Sequence, residues 1–106
     1  MNKLEHILTI TAEECNEVAQ RVTKALRFGL SNVEEGQSFT NLERIMHEYN
    51  DLVAMLEMLE EELDKEIGLD EAHNGNVFQK TNKKFKVEKH FEISRKEGAL
   101  DRDWET

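Results

Sequence analysis

The chain is predicted to be all-α: a long antiparallel helical hairpin plus a C-terminal helix, completing a four-helix-bundle core by oligomerisation. Proline is absent from all 106 residues, so nothing in the chain forces a helix to break. Charged side chains make up 35% of the sequence and aromatic ones only 7%, with Leu, Glu, Lys, Met and Ala prominent, the residues that helices use at least cost. Two long windows, moreover, repeat apolar residues at spacings of three and four, the signature of one helical face.

The first window runs through Leu4, Ile7, Leu8, Thr11, Cys15, Val18, Ala19, Val22, Ala25 and Leu26. Lys24 and Arg27 followed by Gly29 read as a helix end, with cations at the negative pole and a residue free to turn left-handed. The segment "LSNVEEGQSFT" is a loop by its Ser, Asn and Gly content. Thr40 and Glu43 then form a capping box that starts a second helix, striped with Leu42, Ile45, Met46, Tyr49, Leu52, Val53, Leu56, Leu59 and Leu63 and stopped at Gly68. Each helix is about 40 Å long at 1.5 Å per residue. "LDEAHNGNV" reads as a connector, and a third helix spans about Phe78 to Lys96, with Phe85, Phe91 and Ile93 as a thin docking stripe and Gly98 as its end. Residues 1–97 are thus one helical domain and residues 98–106, with Trp104, a loosely held tail. A hairpin with one weak helix buries little apolar surface, so a homodimer or a dimer of dimers is the expected remedy.

Lone Cys15 has no intramolecular disulfide partner; its apolar neighbours suggest a small buried residue in a reducing compartment. The N-terminus is broken by Glu5 and His6 and lacks a signal-peptide core, and no apolar run reaches membrane-spanning length, so a soluble cytoplasmic protein is expected. The net charge of -9 is uneven: residues 1–76 carry 6 basic and 17 acidic side chains, residues 77–106 carry 8 and 6. That balance argues against polymeric nucleic acid as a partner, which needs a basic surface. It leaves room for a small polyphosphate held between acids, metal and a local run of lysines, Lys80, Lys83, Lys84, Lys86 and Lys89.

The chemistry-bearing stretch is "EECNE". At about 100° per residue, Glu13, Glu14 and Glu17 share one side of the first helix. On the second, Glu48 and Asp51 project together at i and i+3, with Glu48 beside the apolar stripe, an awkward place for a bare anion. Pairing the helices would bring Glu14, Glu17, Glu48 and Asp51 onto one patch of hard oxygen ligands, suited to Mg²⁺ or Mn²⁺ with substrate phosphates completing the coordination. A plainer reading stays open from spacing alone: Thr11 and Glu14 also match a capping box, in which these acids favour a helix start and pair with Arg21 and Lys24. "EEELDKE", residues 60–66, reads as a solvated face, and His6, His47, His73 and His90 show no metal-ligand spacing. The lysine run is by itself an ordinary solvated helix face.

"EECNE" followed by "HEYNDLVAML" resembles the E-E-x-x-E … E-x-x-D signature of the MazG-like, all-α nucleoside triphosphate pyrophosphohydrolase superfamily, as found in its short, stand-alone, often phage-encoded members. "AQRVTKALRFG", "TNLERIMHEYNDL" and "KTNKKFKVEKHFE" extend the likeness over about residues 4–97, although the 30 residues from Val18 to His47 are a long gap for the family. The resemblance implies hydrolysis of an NTP or dNTP between its α- and β-phosphates, giving a monophosphate and pyrophosphate. It implies Glu14, Glu17, Glu48 and Asp51 as Mg²⁺ ligands and Glu13 as their support or the orienter of the water. Lys24, Lys80, Asn82, Lys83 and Lys84 would be phosphate or nucleotide contacts, though Lys83 and Lys84 stand where related sequences often mix in arginine. Two other readings keep the same acids: a helical dimer that binds a nucleotide or regulates a partner without turnover, and a structural dimer whose acidic face merely solvates it. Base and sugar preference are not legible.

Overall fold

The computed structural model describes residues 1–67 and 77–98, which form three helices: α1 (Lys3–Phe28), α2 (Asn41–Ile67) and α3 (Val77–Lys96). The all-α expectation holds, with a single isolated bridge, Val33 to Thr40, as the one extended pairing among the described residues. None of these helices is long and apolar enough to cross a membrane. The chain divides into two units, Met1–Leu69 and Asp70–Thr106. The stop assigned to Gly68, the connector up to Asn76 and the tail from residue 99, Trp104 included, lie outside the described residues.

In the first unit, α1 starts one residue before the apolar pattern does, because Asn2 caps it: its Oδ1 accepts from the Glu5 N–H at 2.8 Å. Thr11 is no helix start. The helix runs through it, and its hydroxyl donates back to the Ile7 carbonyl at 2.7 Å. Gly29 ends α1 at φ 97°, a conformation that disfavours any side chain, and its N–H closes on the Ala25 carbonyl at 2.8 Å. The loop then fastens to both helices. Asn41, 2% exposed, donates from Nδ2 to the Gly29 carbonyl at 2.9 Å, and the Leu42 N–H reaches the Leu30 carbonyl at 3.0 Å.

The capping box at the start of α2 forms as expected. The Glu43 N–H donates to Thr40 Oγ1 at 3.1 Å, and Glu43 Oε1 accepts from both the Thr40 N–H and its hydroxyl at 3.0 Å. These bonds hold the Glu43 carboxyl below its usual range. Thr40→Ala should cost about 1 kcal/mol of stability, read as a lower denaturation midpoint with an unchanged slope.

The two helices pack on each other along a narrow seam, with the start of α1 against the end of α2, where Lys3 Nζ lies 3.3 Å from Glu62 Oε2. Leu4, Ile7, Thr11, Glu14, Val18, Arg21 and Ala25 are buried or half-buried, alternating steps of three and four. Asn41, Ile45, Glu48, Leu52, Met55, Leu59 and Glu62 do the same on α2. The buried apolar residues among those described are only Ile7 and Ala25, and neither is wholly enclosed. A second apolar row on each helix stays outside: Leu8, Val22 and Leu26 on α1, and Leu42, Met46, Tyr49 and Leu56 on α2, with Leu26 86% exposed. Cys15 falls on that outer row and is exposed, contrary to the buried position expected of it. The thiol sits one position past the seam residue Glu14, which rotates it away from α2.

In the second unit, α3 begins at Val77, one residue earlier than the pattern places it. Phe85 and Ile93 are exposed within this unit and Phe91 is half-buried, so the thin stripe finds little cover there. Lys89 Nζ lies 5.1 Å from the centre of the Phe85 ring, and Arg95 bridges to Glu92 at 3.0 Å. Gly98, at φ 78°, follows the last turn.

Candidate functional site

The seam register places two ionisable residues of α1 where a coiled coil would carry apolar ones. Ile7, Glu14 and Arg21 succeed one another at intervals of seven, so Glu14, half-buried, falls on the same face of α1 as buried Ile7. Glu48 occupies a seam position on α2, and Asp51 follows three residues on, at the exposed edge. As a result Glu14, Glu48 and Asp51 each bring a carboxylate oxygen to within 4.8 Å of the other two.

The cations expected by the capping reading go elsewhere: Lys24 and Arg21 make their ion pairs with Glu34 of the loop. Glu14 Oε2 is buried with no hydrogen-bond partner among the described residues. Loss of water, then the charges of Asp51, Glu48, Glu17 and Glu13, push the Glu14 carboxyl above its usual range. An orphaned carboxylate oxygen beside two more carboxylates is a set of hard oxygen donors. This chemistry fits Mg²⁺ or Mn²⁺. Three of the four expected ligands are thus brought together. Glu17, half-buried, adds its charge to the group, but Val18 takes the next seam position, which leaves Glu17 on the flank, outside the 4.8 Å cluster. Glu13 is exposed beside it.

The pH dependence of stability follows from the sign of these shifts. Glu14 binds its proton more tightly folded than unfolded, so metal-free stability should fall as pH rises through the interval above the ordinary carboxylate range. Glu34 and Glu43 have the opposite sign: their contributions are present at neutral pH and lost as pH falls through their lowered values. Glu14→Gln should therefore raise the melting temperature of the metal-free chain at neutral pH and flatten its decline above the ordinary carboxylate range; a lower melting temperature would count against the buried repulsion.

Of the expected phosphate contacts, Lys24 is half-buried with Nζ 3.7 Å from Glu34 Oε1, whereas Lys80, Asn82, Lys83 and Lys84 are exposed along α3 in the second unit. His6, His47 and His90 are exposed, and His47 packs edge-on against Phe39 at 4.7 Å; His73 lies outside the described residues. Within "EEELDKE", Glu62 is half-buried and paired with Lys3, so that segment is less uniformly solvated than its charge suggests.

Sequence reasoning missed the basic group around Glu34. Arg44 Nη1 donates to Glu34 Oε2 at 2.6 Å, Lys24 lies 3.7 Å from Oε1, and Arg21 Nη1 lies 3.9 Å from Oε2. Arg44 stands four residues before Glu48, a spacing that shows the two share a helix face. Nothing in the loop's composition singles out Glu34 from Glu35 beside it. Comparison with protein families, with curated proteins and with solved structures found no match.

Proposed function

We propose that the chain hydrolyses a nucleoside triphosphate, NTP or dNTP, between its α- and β-phosphates, using Mg²⁺, with Mn²⁺ as a substitute. The observation that carries this reading is the convergence of Glu14, Glu48 and Asp51, from two different helices, around an orphaned carboxylate oxygen. The resemblance of "EECNE" and "HEYND" to the MazG-like signature gives that convergence its chemistry. A divalent cation bound there would neutralise phosphate charge and make a bound water acidic enough to attack. Glu14, Glu48 and Asp51 hold the cation, Glu17 completes the set from the flank, and Glu13 supports these ligands or orients the water. Lys24 and the α3 residues Lys80, Asn82, Lys83 and Lys84 are the proposed contacts to the phosphates.

The ion pair of Lys3 with Glu62 supports an antiparallel hairpin, and the exposed apolar rows support assembly into a homodimer or a dimer of dimers with a four-helix core. A cytoplasmic setting, that of a host cell if the chain is phage-encoded, supplies both nucleotide and Mg²⁺.

The test is incubation of the purified protein with each common NTP and dNTP plus Mg²⁺, with a chelator control, resolving monophosphate and pyrophosphate from diphosphate and phosphate. Chelator-sensitive formation of monophosphate and pyrophosphate is expected. Nucleotide binding without product would replace the enzyme with a nucleotide-binding regulator.

A further inference from the structure

One to two turns along the helices from the carboxylates, the charge is the opposite. Arg21 follows Glu14 by seven residues on α1, about 10 Å along the axis, and Arg44 precedes Glu48 by four on α2. With Lys24 they set three cations around one carboxylate, in a chain whose net charge is -9. Both arginine side chains are mostly withdrawn from solvent, 13% and 15% exposed, while Glu34 is 46% exposed on its loop.

The carboxylate fits this group incompletely. It accepts one short bond, from Arg44 at 2.6 Å. Arg21 Nη1, at 3.9 Å, is beyond hydrogen-bond reach, and its Nε and Nη1 are buried with no hydrogen-bond partner among the described residues. Buried guanidinium donors without acceptors are costly. A planar carboxylate offers two oxygens, whereas a phosphate offers three or four in a tetrahedral array, which guanidinium groups grip in pairs. A cavity of about 220 Å³ opens beside Lys24 and Glu34, lined also by Phe28, Glu35 and Asn41 but by neither arginine.

We infer that Arg21, Lys24 and Arg44 form an oxyanion site for a phosphate or pyrophosphate group, with Glu34 as a tethered occupant that the incoming anion displaces. The site uses none of the proposed metal ligands but shares Lys24 with the proposed phosphate contacts; titration without metal or turnover keeps its failure distinguishable from that of the proposed hydrolysis. Displacing Glu34 exchanges one intramolecular carboxylate for an anion that reaches all three cations, and it releases Glu34 from both helices while the hydrogen bonds of Asn41 to Gly29 and of Leu42 to Leu30 still fasten the loop.

The experiment is calorimetric titration of inorganic pyrophosphate into the full chain in metal-free, low-salt buffer, comparing wild type with Glu34→Gln, Arg21→Gln and the double variant. Removing the tethered competitor should tighten binding at least about tenfold, since a charge-assisted hydrogen bond typically supplies that much. Arg21→Gln should weaken binding by a similar factor in either background. Equal affinity in wild type and Glu34→Gln, or no binding in either, overturns the site, as does a double variant that binds like Glu34→Gln. Should Glu34→Gln fail to fold, Arg21→Gln alone decides: Arg21 Nε and Nη1 have no hydrogen-bond partner among the described residues, so undiminished pyrophosphate affinity in that variant overturns the inference.

Discussion

Glu48→Gln and Asp51→Asn should each lower Mg²⁺-dependent turnover by on the order of 100-fold or more, since even groups that only support a ligand cost 10- to 100-fold when altered. Both replacements keep the shape of the side chain while removing the charge that a cation needs. The carboxylate oxygens of Glu14, Glu48 and Asp51 lie within 4.8 Å of one another, so each variant also relieves repulsion in the metal-free protein. Two outcomes then separate a metal centre from a folding defect. The metal-free variants should melt no lower than wild type. Wild type alone should gain stability as Mg²⁺ is added, by about 2.7 kcal/mol at a hundredfold excess over the dissociation constant, the ordinary consequence of a ligand that binds only the folded state. Glu17→Gln, outside the cluster, should cost turnover less than either. Unchanged turnover in both Glu48→Gln and Asp51→Asn would end the assignment, and a wild-type melting temperature indifferent to Mg²⁺ would remove the cation site altogether.

What the sequence displayed of this arrangement was local. Steps of three and four residues, the Thr40–Glu43 box and the glycine after Phe28 each depend on neighbours within one or two turns, and they placed the helix limits to within a residue where described. The choice between two apolar rows was not local. Leu8, Cys15 and Val22 repeat as regularly as Ile7, Glu14 and Arg21, and composition favours burying the first set. The structure turns the second set onto α2, which puts Cys15 outside and two ionisable residues inside. Spacing likewise left Glu14 between a helix cap and a metal ligand. A hydrogen bond from Thr11 back to Ile7 and the diversion of Arg21 and Lys24 to Glu34 remove the cap and its ion pairs. Glu34 itself lies in a segment with no periodicity, so its partners depended on how the loop folds back over the helix ends.

The uncovered row sets the second large expectation: wild type should be a dimer or tetramer in solution, and Tyr49→Glu should convert it to a monomer with a lower melting temperature. Leu42, Tyr49 and Leu56 repeat at intervals of seven on α2 and are each exposed, as are Leu8, Val22 and Leu26 on α1. This is a second exposed apolar row among the described residues, on helices whose existing contact buries only two apolar residues among those described. Domains of this size are marginal even with a full core. Joining two such rows about a twofold axis would bury each of these side chains, at about 1.5–3 kcal/mol apiece for the aliphatic ones. Tyr49 sits midway along its row, and a glutamate there appears twice in a symmetric dimer, each copy losing water without gaining a cation. Sedimentation would read the change in mass directly. The melting temperature of wild type should rise with protein concentration and that of the variant should not, because only an assembly gains stability by mass action. A wild-type chain that sediments as a monomer, with a melting temperature independent of concentration, would mean that one seam suffices and that the second row answers to something other than a copy of itself.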